Sequence, residues 1–349
     1  VRSLLVSPRL DPTPIFETFR GCHATELLTA AMHFEVFACL AARPLSFAEL
    51  SQQLGLEERP AVVLCTALRA FGLVARDEQG RFSLTELARE HLVPGSPFDV
   101  SGYLGLAARS PGVLDMVERL RTNRPAGAQE KQTGAAFIYR EDIESAMEQE
   151  ESARQLTLAL AGRARNVAPV LAERLPLPEG RKLLDVGGGT GLYSIAWLQR
   201  HPQLRAIVWD RPEVLKVARE LAQEHGVADR LECLPGDMFA DPVPDACDTV
   251  LLSNVLHDWD VPQCQALIRR IAKALPAGGR LLIHDVFLND ALDGPLPIAL
   301  YSAALFTLTE GRAYSAAEYR AWLTEAGLQP GEIIPTLVHC GVLPASMTR

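Results

Sequence analysis

The sequence predicts an α/β fold, a doubly wound and mostly parallel sheet, together with a helical N-terminal domain. Three observations carry this reading: the run LLDVGGGTG at 183–191, a regular alternation of short apolar runs with helical patterns from Leu171 onward, and a helix-rich first part that closes on a short hairpin. Strands are expected near 182–187, 205–210, 230–235, 248–254, 279–287 and 338–344, and helices near 191–200, 212–226, 261–275 and 315–327. Such alternation implies a sheet covered on both faces, with ligands at the carboxyl ends of its strands.

The run LLDVGGGTG reads as a buried strand turning into a ligand loop. Leu183, Leu184 and Val186 suit a strand covered on both faces, and Gly187, Gly189 and Gly191 let backbone N–H groups approach a ligand with no Cβ in the way. Gly191 then opens a helix, LYSIAWLQR, in which Leu192, Ile195, Ala196 and Leu198 recur at helical spacing. The glycines are spaced G-x-G-x-G rather than the G-x-G-x-x-G that seats a dinucleotide pyrophosphate, which turns the reading away from NAD. A different adenosine ligand needs acids at later strand ends, and two are present. Asp210 closes the apolar run from Ala206 to Trp209, nineteen residues beyond Gly191, where a carboxylate can accept both ribose hydroxyl hydrogens. Asp237 closes the next run, in LECLPGDMF, where it can receive the adenine amino hydrogen with Met238 against the ring face. A further strand, Thr249 to Leu252, runs into SNVLHDWD at 253–260.

From about Leu171 to the C-terminus, the order and spacing of these motifs resemble the class I S-adenosylmethionine-dependent methyltransferases and their Rossmann-like sheet. The run GDMF followed by NVLHDWD is similar to the small-molecule O-methyltransferases that include caffeic acid, isoflavone, acetylserotonin and bacterial polyketide enzymes. The resemblance implies S-adenosylmethionine as cofactor and S-adenosylhomocysteine as product. It places Gly187 and Gly189 around the methionine part, Asp210 on the ribose, Asp237 and Met238 at the adenine, and His257 as catalytic base. Ser253 stands where plant members have a lysine and some bacterial members a serine, and takes a cofactor role. In plant members a glutamate twenty-eight residues after the histidine orients it, and Asp285 occupies that spacing here with a shorter arm. A second glutamate of the family, in a motif like GKERT, falls at Ala313 in GRAYS, so that partner is absent; Glu310 is the candidate to compensate. Asn254 and Phe306 are further candidates for touching the substrate.

The chemistry implied is transfer of a methyl group from a sulfonium to an acceptor oxygen. The donor is already reactive, so the protein must align acceptor, methyl and sulfur and remove the acceptor's proton. A histidine suits the second task because its ordinary pKa lies near neutrality, and it works better when a carboxylate orients it. Asp258 is expected to cap the next helix or pair locally, and Trp259 to pack behind the loop. A metal shared by His257, His284 and Asp285 is not expected, because adjacent strand residues point to opposite faces. The favoured activity is therefore O-methylation of an aromatic or polyketide-like small molecule in secondary metabolism. The alternatives are the same fold turned to hydroxylation, decarboxylation or pericyclic chemistry, C- or N-methylation, and a regulator that senses S-adenosylmethionine.

Composition agrees with an enzyme of this kind. A chain of 349 residues exceeds the usual single domain. A net charge of −9 argues against nucleic-acid or anionic-membrane partners, which need a basic surface. The opening residues VRSLLVSPRLDPTP hold no apolar segment long enough for a signal peptide or a membrane span, so a cytoplasmic location is expected; the opening valine leaves room for an initiator or a few residues ahead of it. Seven scattered cysteines, never spaced C-x-x-C, read as reduced thiols.

Three pieces are expected: a winged-helix-like domain over 1–95, a helical connector and lid over 96–170, and the catalytic domain over 171–349. In the first, a helix from Thr25 to Leu40 carries a broad apolar face. Ser46 with Glu49 forms a capping box for the helix FAELSQQLG, Gly55 stops it, and another helix follows from Pro60. Residues 73–76 and 81–84 then make a hairpin around the turn Asp77-Glu78-Gln79-Gly80. Helix-turn-helix plus hairpin invites a DNA-binding reading. Between Ser46 and Glu90, however, stand five arginines, no lysine and seven acids, and the would-be reading helix is rich in Ala, Val and Leu. In the resembled family this domain mediates homodimerisation and closes the partner's substrate pocket. The connector carries a long helix from Ile143 to Arg165, and the resemblance makes Phe137, Tyr139 and Met147 candidates for lining the pocket, although such residues on a helix also serve as plain core.

Overall fold

The apolar runs after Leu171 become one eight-stranded sheet. The computed structural model describes residues 3–124, 150–177, 182–245 and 247–347. In chain order the first part holds helices α1 (Thr13–Arg20), α2 (Cys22–His33), α3 (Val36–Ala42), α4 (Phe47–Leu54) and α5 (Glu58–Ala70). Strands β1 (Val74–Arg76) and β2 (Phe82–Leu84) follow, then α6 (Glu86–His91), α7 (Ser101–Leu104), α8 (Pro111–Thr122) and α9 (Glu150–Arg174). Next come β3 (Lys182–Val186), α10 (Leu192–Arg200), β4 (Arg205–Asp210), α11 (Pro212–Glu224), β5 (Leu231–Pro235), β6 (Thr249–Ser253), α12 (Val261–Ala274) and β7 (Arg280–Val286). The chain ends with α13 (Leu296–Leu308), α14 (Ala316–Glu325), β8 (Leu328–Pro330), β9 (Ile334–Pro335) and β10 (Cys340–Met347).

The described residues divide into two compact units, one drawn from Val1–Phe16, Phe137–Phe287 and Ala316–Arg349, the other from Glu17–Ala136 and Leu288–Ser315. In the first, the sheet order is β5-β4-β3-β6-β7-β10-β8, with β9 also paired to β10. Strands β3 to β7 are parallel, whereas β10 runs antiparallel to β7 and β8. Strand β6 is buried at every position, which fits a central strand covered on both faces. The order reverses direction around β3, so the carboxyl ends of β3, β4 and β6 flank a topological switch point, the usual place for a ligand in such sheets. The core joins Leu183, Val208 and Leu251 of the strands to Trp197 of α10 and to Ala161, Val167 and Leu171 of α9.

The second unit is helical with the β1–β2 hairpin, and its own core runs through Leu27, Leu40, Leu64, Leu68, Met116 and Phe306. The Ser46–Glu49 capping box forms in both directions, and Gly55 closes α4 at φ +64°. Arg59 of α5 ties the unit together from the inside: it donates to the side chain and carbonyl of Asn123 and to the carbonyls of Thr309 and Gly311.

Four expectations need correction. The helix foreseen from Thr25 to Leu40 is two helices, broken where Glu35 takes a left-handed φ of +53°. The long connector helix reaches Arg174, past the expected Arg165. Helix α13 was not foreseen: its sequence LPIALYSAALFTL is apolar all round, so it has no polar face to set a helical period. The compact units also interleave along the chain rather than following one another. Val113, Met116 and Leu120 of α8 bury in the helical core, α9 buries in the sheet core, and residues 288–315 join the helical unit. No single described helix is long and apolar enough to cross a membrane.

Candidate active site

Parallel strands bring their carboxyl ends to one edge of the sheet, and the chemistry-bearing residues of the sheet unit follow those ends. After β3 the chain turns through Gly187 at φ +61° and Gly189 at φ +58°, a region that side chains with a Cβ avoid. A Cβ on Gly187 would also stand 3.0 Å from Val255 Cγ2. The N–H of Gly189 donates to Oδ2 of Asp210 at 2.8 Å, which ties the loop to the end of β4. Oδ1 of Asp210 accepts the N–H of Arg211 at 2.7 Å. Burial pushes the Asp210 carboxyl above its ordinary value, against these two donors. Each of its oxygens retains a lone pair, so the acid has acceptor capacity for two further hydroxyls.

Asp237 is exposed just beyond β5, where its carboxylate accepts the N–H of Phe239 at 2.7 Å, and Met238 beside it is half-buried. Ser253 ends β6 buried, in register with His284 of β7. Its Oγ lies 2.9 Å from Nδ1 of His284 and 3.1 Å from Nδ2 of Asn254, which also donates to the hydroxyl of Tyr193 at 3.3 Å. Asn254 adopts φ +55°, and its Oδ1 is buried with no hydrogen-bond partner. The other ring nitrogen of His284 contacts Thr336 Oγ1 at 3.1 Å. Burial, helped by the Arg163 charge, pushes His284 down to about 3, so this ring is neutral across the ordinary pH range.

His257 stands on the single turn Leu256–Asp258 after β6 and is buried. Its Nδ1 lies 2.6 Å from Oδ1 of Asp285, the residue that follows His284 on β7. As alternation requires, His284 and Asp285 engage different groups. A carboxylate in this position accepts from an Nδ1–H, the tautomer in which Nε2 carries the free lone pair. Oδ1 of Asp285 also accepts the N–H of Val286 at 2.8 Å, and Oδ2 accepts the hydroxyl of Tyr319 at 3.3 Å. Oδ1 of Asp258 is 3.6 Å from Nε2, and burial pushes that carboxyl up to about 6. Asp258 thus pairs locally, and the cap of α12 falls instead to Asp260, which accepts the N–H of Val261. Trp259 is buried edge-on to Phe239, with ring centroids 4.8 Å apart.

Two residues here were not singled out from the sequence. Asp185, one residue before the end of β3, is fully buried, accepts Ser194 Oγ at 2.7 Å and leaves Oδ1 unpartnered; burial pushes it up to about 7. Its signal was legible, since it is the acid inside an otherwise apolar strand. Tyr319 had no such signal, because only the tertiary fold carries its hydroxyl to Asp285. Of the remaining candidates, Phe306 is buried in the core of the helical unit with the Arg59 guanidinium 4.7 Å from its ring centroid. Glu310 belongs to the same unit, half-buried between the Thr309 and Gly311 carbonyls that accept from Arg59. Phe137, Tyr139 and Met147 lie outside the described residues.

An S-adenosylmethionine molecule fits this residue set. The glycine bend is open at Gly189, where an added Cβ would meet nothing within 4 Å; Asp210 has spare acceptor capacity; Asp185 and Asn254 each hold a buried oxygen without a protein donor. Residues 116–329 match the O-methyltransferase domain family, and residues 16–94 match the O-methyltransferase dimerisation domain. The chain belongs to the O-methyltransferase family. It is an S-adenosylmethionine-dependent methyltransferase.

Other methyltransferases match it over nearly its full length. The chain is 36% identical to the 3-hydroxy-5-methyl-1-naphthoate 3-O-methyltransferase of Streptomyces sahachiroi, over 90% of this chain and 89% of that one. It is 31% identical to an L-tyrosine C(3)-methyltransferase of Streptomyces lavendulae, over 89% of this chain and 85% of that one. The crystal structure of an O-methyltransferase family 2 protein from Planctomyces limnophilus, in complex with apigenin, superposes with a TM-score of 0.89 at 50% identity and covers 99% of each chain.

Proposed function

We propose that this O-methyltransferase acts on a hydroxyl of an aromatic, polyketide-like small molecule, with His257 as general base and Asp285 orienting it. The observation that carries the reading is the 2.6 Å contact between His257 Nδ1 and Asp285, which supports the Nδ1–H tautomer, the one in which Nε2 is the basic nitrogen. S-adenosylmethionine, when bound, supplies an electrophilic methyl carbon. Gly187 and Gly189 hold its methionine part, Asp210 accepts from its ribose, Asp237 and Met238 receive the adenine, and Ser253 and Asn254 line the same edge. Nε2 of His257 takes the acceptor proton as the oxygen becomes a nucleophile, and Asp285 stabilises the resulting imidazolium. The substrate class draws support from the naphthoate enzyme of Streptomyces sahachiroi and from the apigenin complex of the Planctomyces protein. The dimerisation domain supports a homodimer, and the net charge of −9 supports a cytoplasmic protein without nucleic-acid or membrane partners.

The test is formation of S-adenosylhomocysteine together with a methylated product, using apigenin and 3-hydroxy-5-methyl-1-naphthoate as acceptors, in wild type and in His257→Ala. Methyl transfer that survives unchanged in the variant rejects the base. C-methylation is the second reading, favoured by the 31% identity to the tyrosine C(3)-methyltransferase; locating the new methyl on oxygen or carbon decides between them. Consumption of acceptor without S-adenosylhomocysteine would instead favour hydroxylation, decarboxylation or pericyclic chemistry on the same fold.

A further inference from the structure

Asp285 is 1% exposed, and a carboxylate at that depth must have its charge divided among donors. Two of them, His257 Nδ1 and the N–H of Val286, address Oδ1 at 2.6 and 2.8 Å. The contact at Oδ2 comes from a different element: the hydroxyl of Tyr319, on α14, at 3.3 Å. Tyr319 is itself fully buried, packed edge-on against Phe287 and Trp322 with centroids 5.7 and 5.4 Å away. Its hydroxyl is therefore fixed by ring packing rather than free to turn with solvent.

We propose that Tyr319 is a positioning residue for the base, acting through Asp285 to keep the His257 proton on Nδ1. The argument is one of alternatives for a buried carboxylate. With the phenol donating to Oδ2, the anion is satisfied on both oxygens and can only accept from the imidazole. Without it, Oδ2 is a buried anionic oxygen stripped of that donor, a cost that protonation of the carboxyl relieves. One proton taken up from solvent then lets Asp285 hold a proton and donate it to Nδ1 while the ring carries its own on Nε2, which blocks the nitrogen that must receive the acceptor's proton. Among the described residues, the charged and titratable groups around the pair are Asp258, 3.6 Å from Nε2 on the same loop as His257, His284, which precedes Asp285 on β7 and feels its charge, and Tyr319 itself on α14.

This inference rests on His257 being the base, and its test is separate from turnover. In full-length protein labelled with ¹⁵N at histidine, the nitrogen shifts of His257 report which ring nitrogen carries the proton. Wild type is expected in the Nδ1–H form at pH 7.5, and Tyr319→Phe is expected to move a substantial share of the signal to the Nε2–H form. Trp322→Phe disturbs the same aromatic packing without touching Asp285, and is expected to keep the wild-type tautomer. A wild-type spectrum in Tyr319→Phe, or an equal change in Trp322→Phe, overturns the positioning role. Failure of the base assignment shows elsewhere, as methyl transfer retained in His257→Ala, so the two outcomes are distinguishable.

Discussion

Nδ1 of His257 and Oδ1 of Asp285 are 2.6 Å apart, with both side chains almost wholly buried. So short a contact between an imidazole and a carboxylate fixes the orientation of the ring and favours the tautomer that donates from Nδ1. His257→Ala is expected to lose methyl transfer by about 10²–10⁴-fold, while S-adenosylmethionine affinity measured by calorimetry stays within about threefold of wild type. Asp285→Asn keeps the shape but not the charge, and is expected to lose at least about a hundredfold in kcat with KM little changed. A large loss of cofactor affinity in either variant would move these residues out of the chemical step and into binding.

At Gly187 two constraints coincide: φ is +61°, and an added Cβ would meet Val255 at 3.0 Å. Gly187→Ala is expected to destabilise the protein by about 1–2 kcal/mol from backbone strain alone, with weaker S-adenosylmethionine binding as the loop shifts. Urea denaturation and calorimetry on the same preparation check this. Wild-type stability together with wild-type affinity would count against a tightly shaped glycine bend.

Stability should depend on pH through two buried groups of opposite sign. Asp185 is raised from 3.8 to about 7, so between those values the folded state holds a proton that the unfolded chain has released, and stability falls as pH rises through that window. His284 is lowered from 6.5 to about 3, so the unfolded chain takes up a proton that the folded state refuses, and stability falls as pH drops below 6.5. Each slope is at most about 1.4 kcal/mol per pH unit. Denaturation of Asp185→Asn, compared with wild type, should show a gain that grows from pH 4 to pH 7. His284→Asn should flatten the acid side. Parallel curves for variant and wild type would contradict the burial of the group concerned.

Arg59 is 6% exposed and donates to Asn123, Thr309 and Gly311 while its guanidinium lies 4.7 Å from the Phe306 ring centroid. Arg59→Met fills similar volume but leaves those carbonyls without their donor. The expected loss is about 3 kcal/mol, read from denaturant unfolding of the whole chain. A loss below about 1 kcal/mol would mean that water or a neighbour replaces the guanidinium.

Local sequence determined much of this protein. The strands from Lys182 to Val286 were legible because short apolar runs ended by glycine or acid have few other solutions, and the Ser46–Glu49 cap because its partners are three residues apart. The site was legible where its residues follow strand ends in register: Gly187, Asp210, Ser253 and His257 are each set by the strand before them. Tertiary structure alone decided the rest. Glu35 breaks a helix that the periodicity continued, and α13 carries no polar face to announce it. Residues 288–315 leave the sheet unit for the helical core through burial that no local window records. Tyr319 reaches Asp285 across 34 positions, a pairing fixed only when α14 packs its aromatic cluster. Local rules act over a few residues and so set elements and their caps; the partners of a buried charge depend on which elements the core brings together.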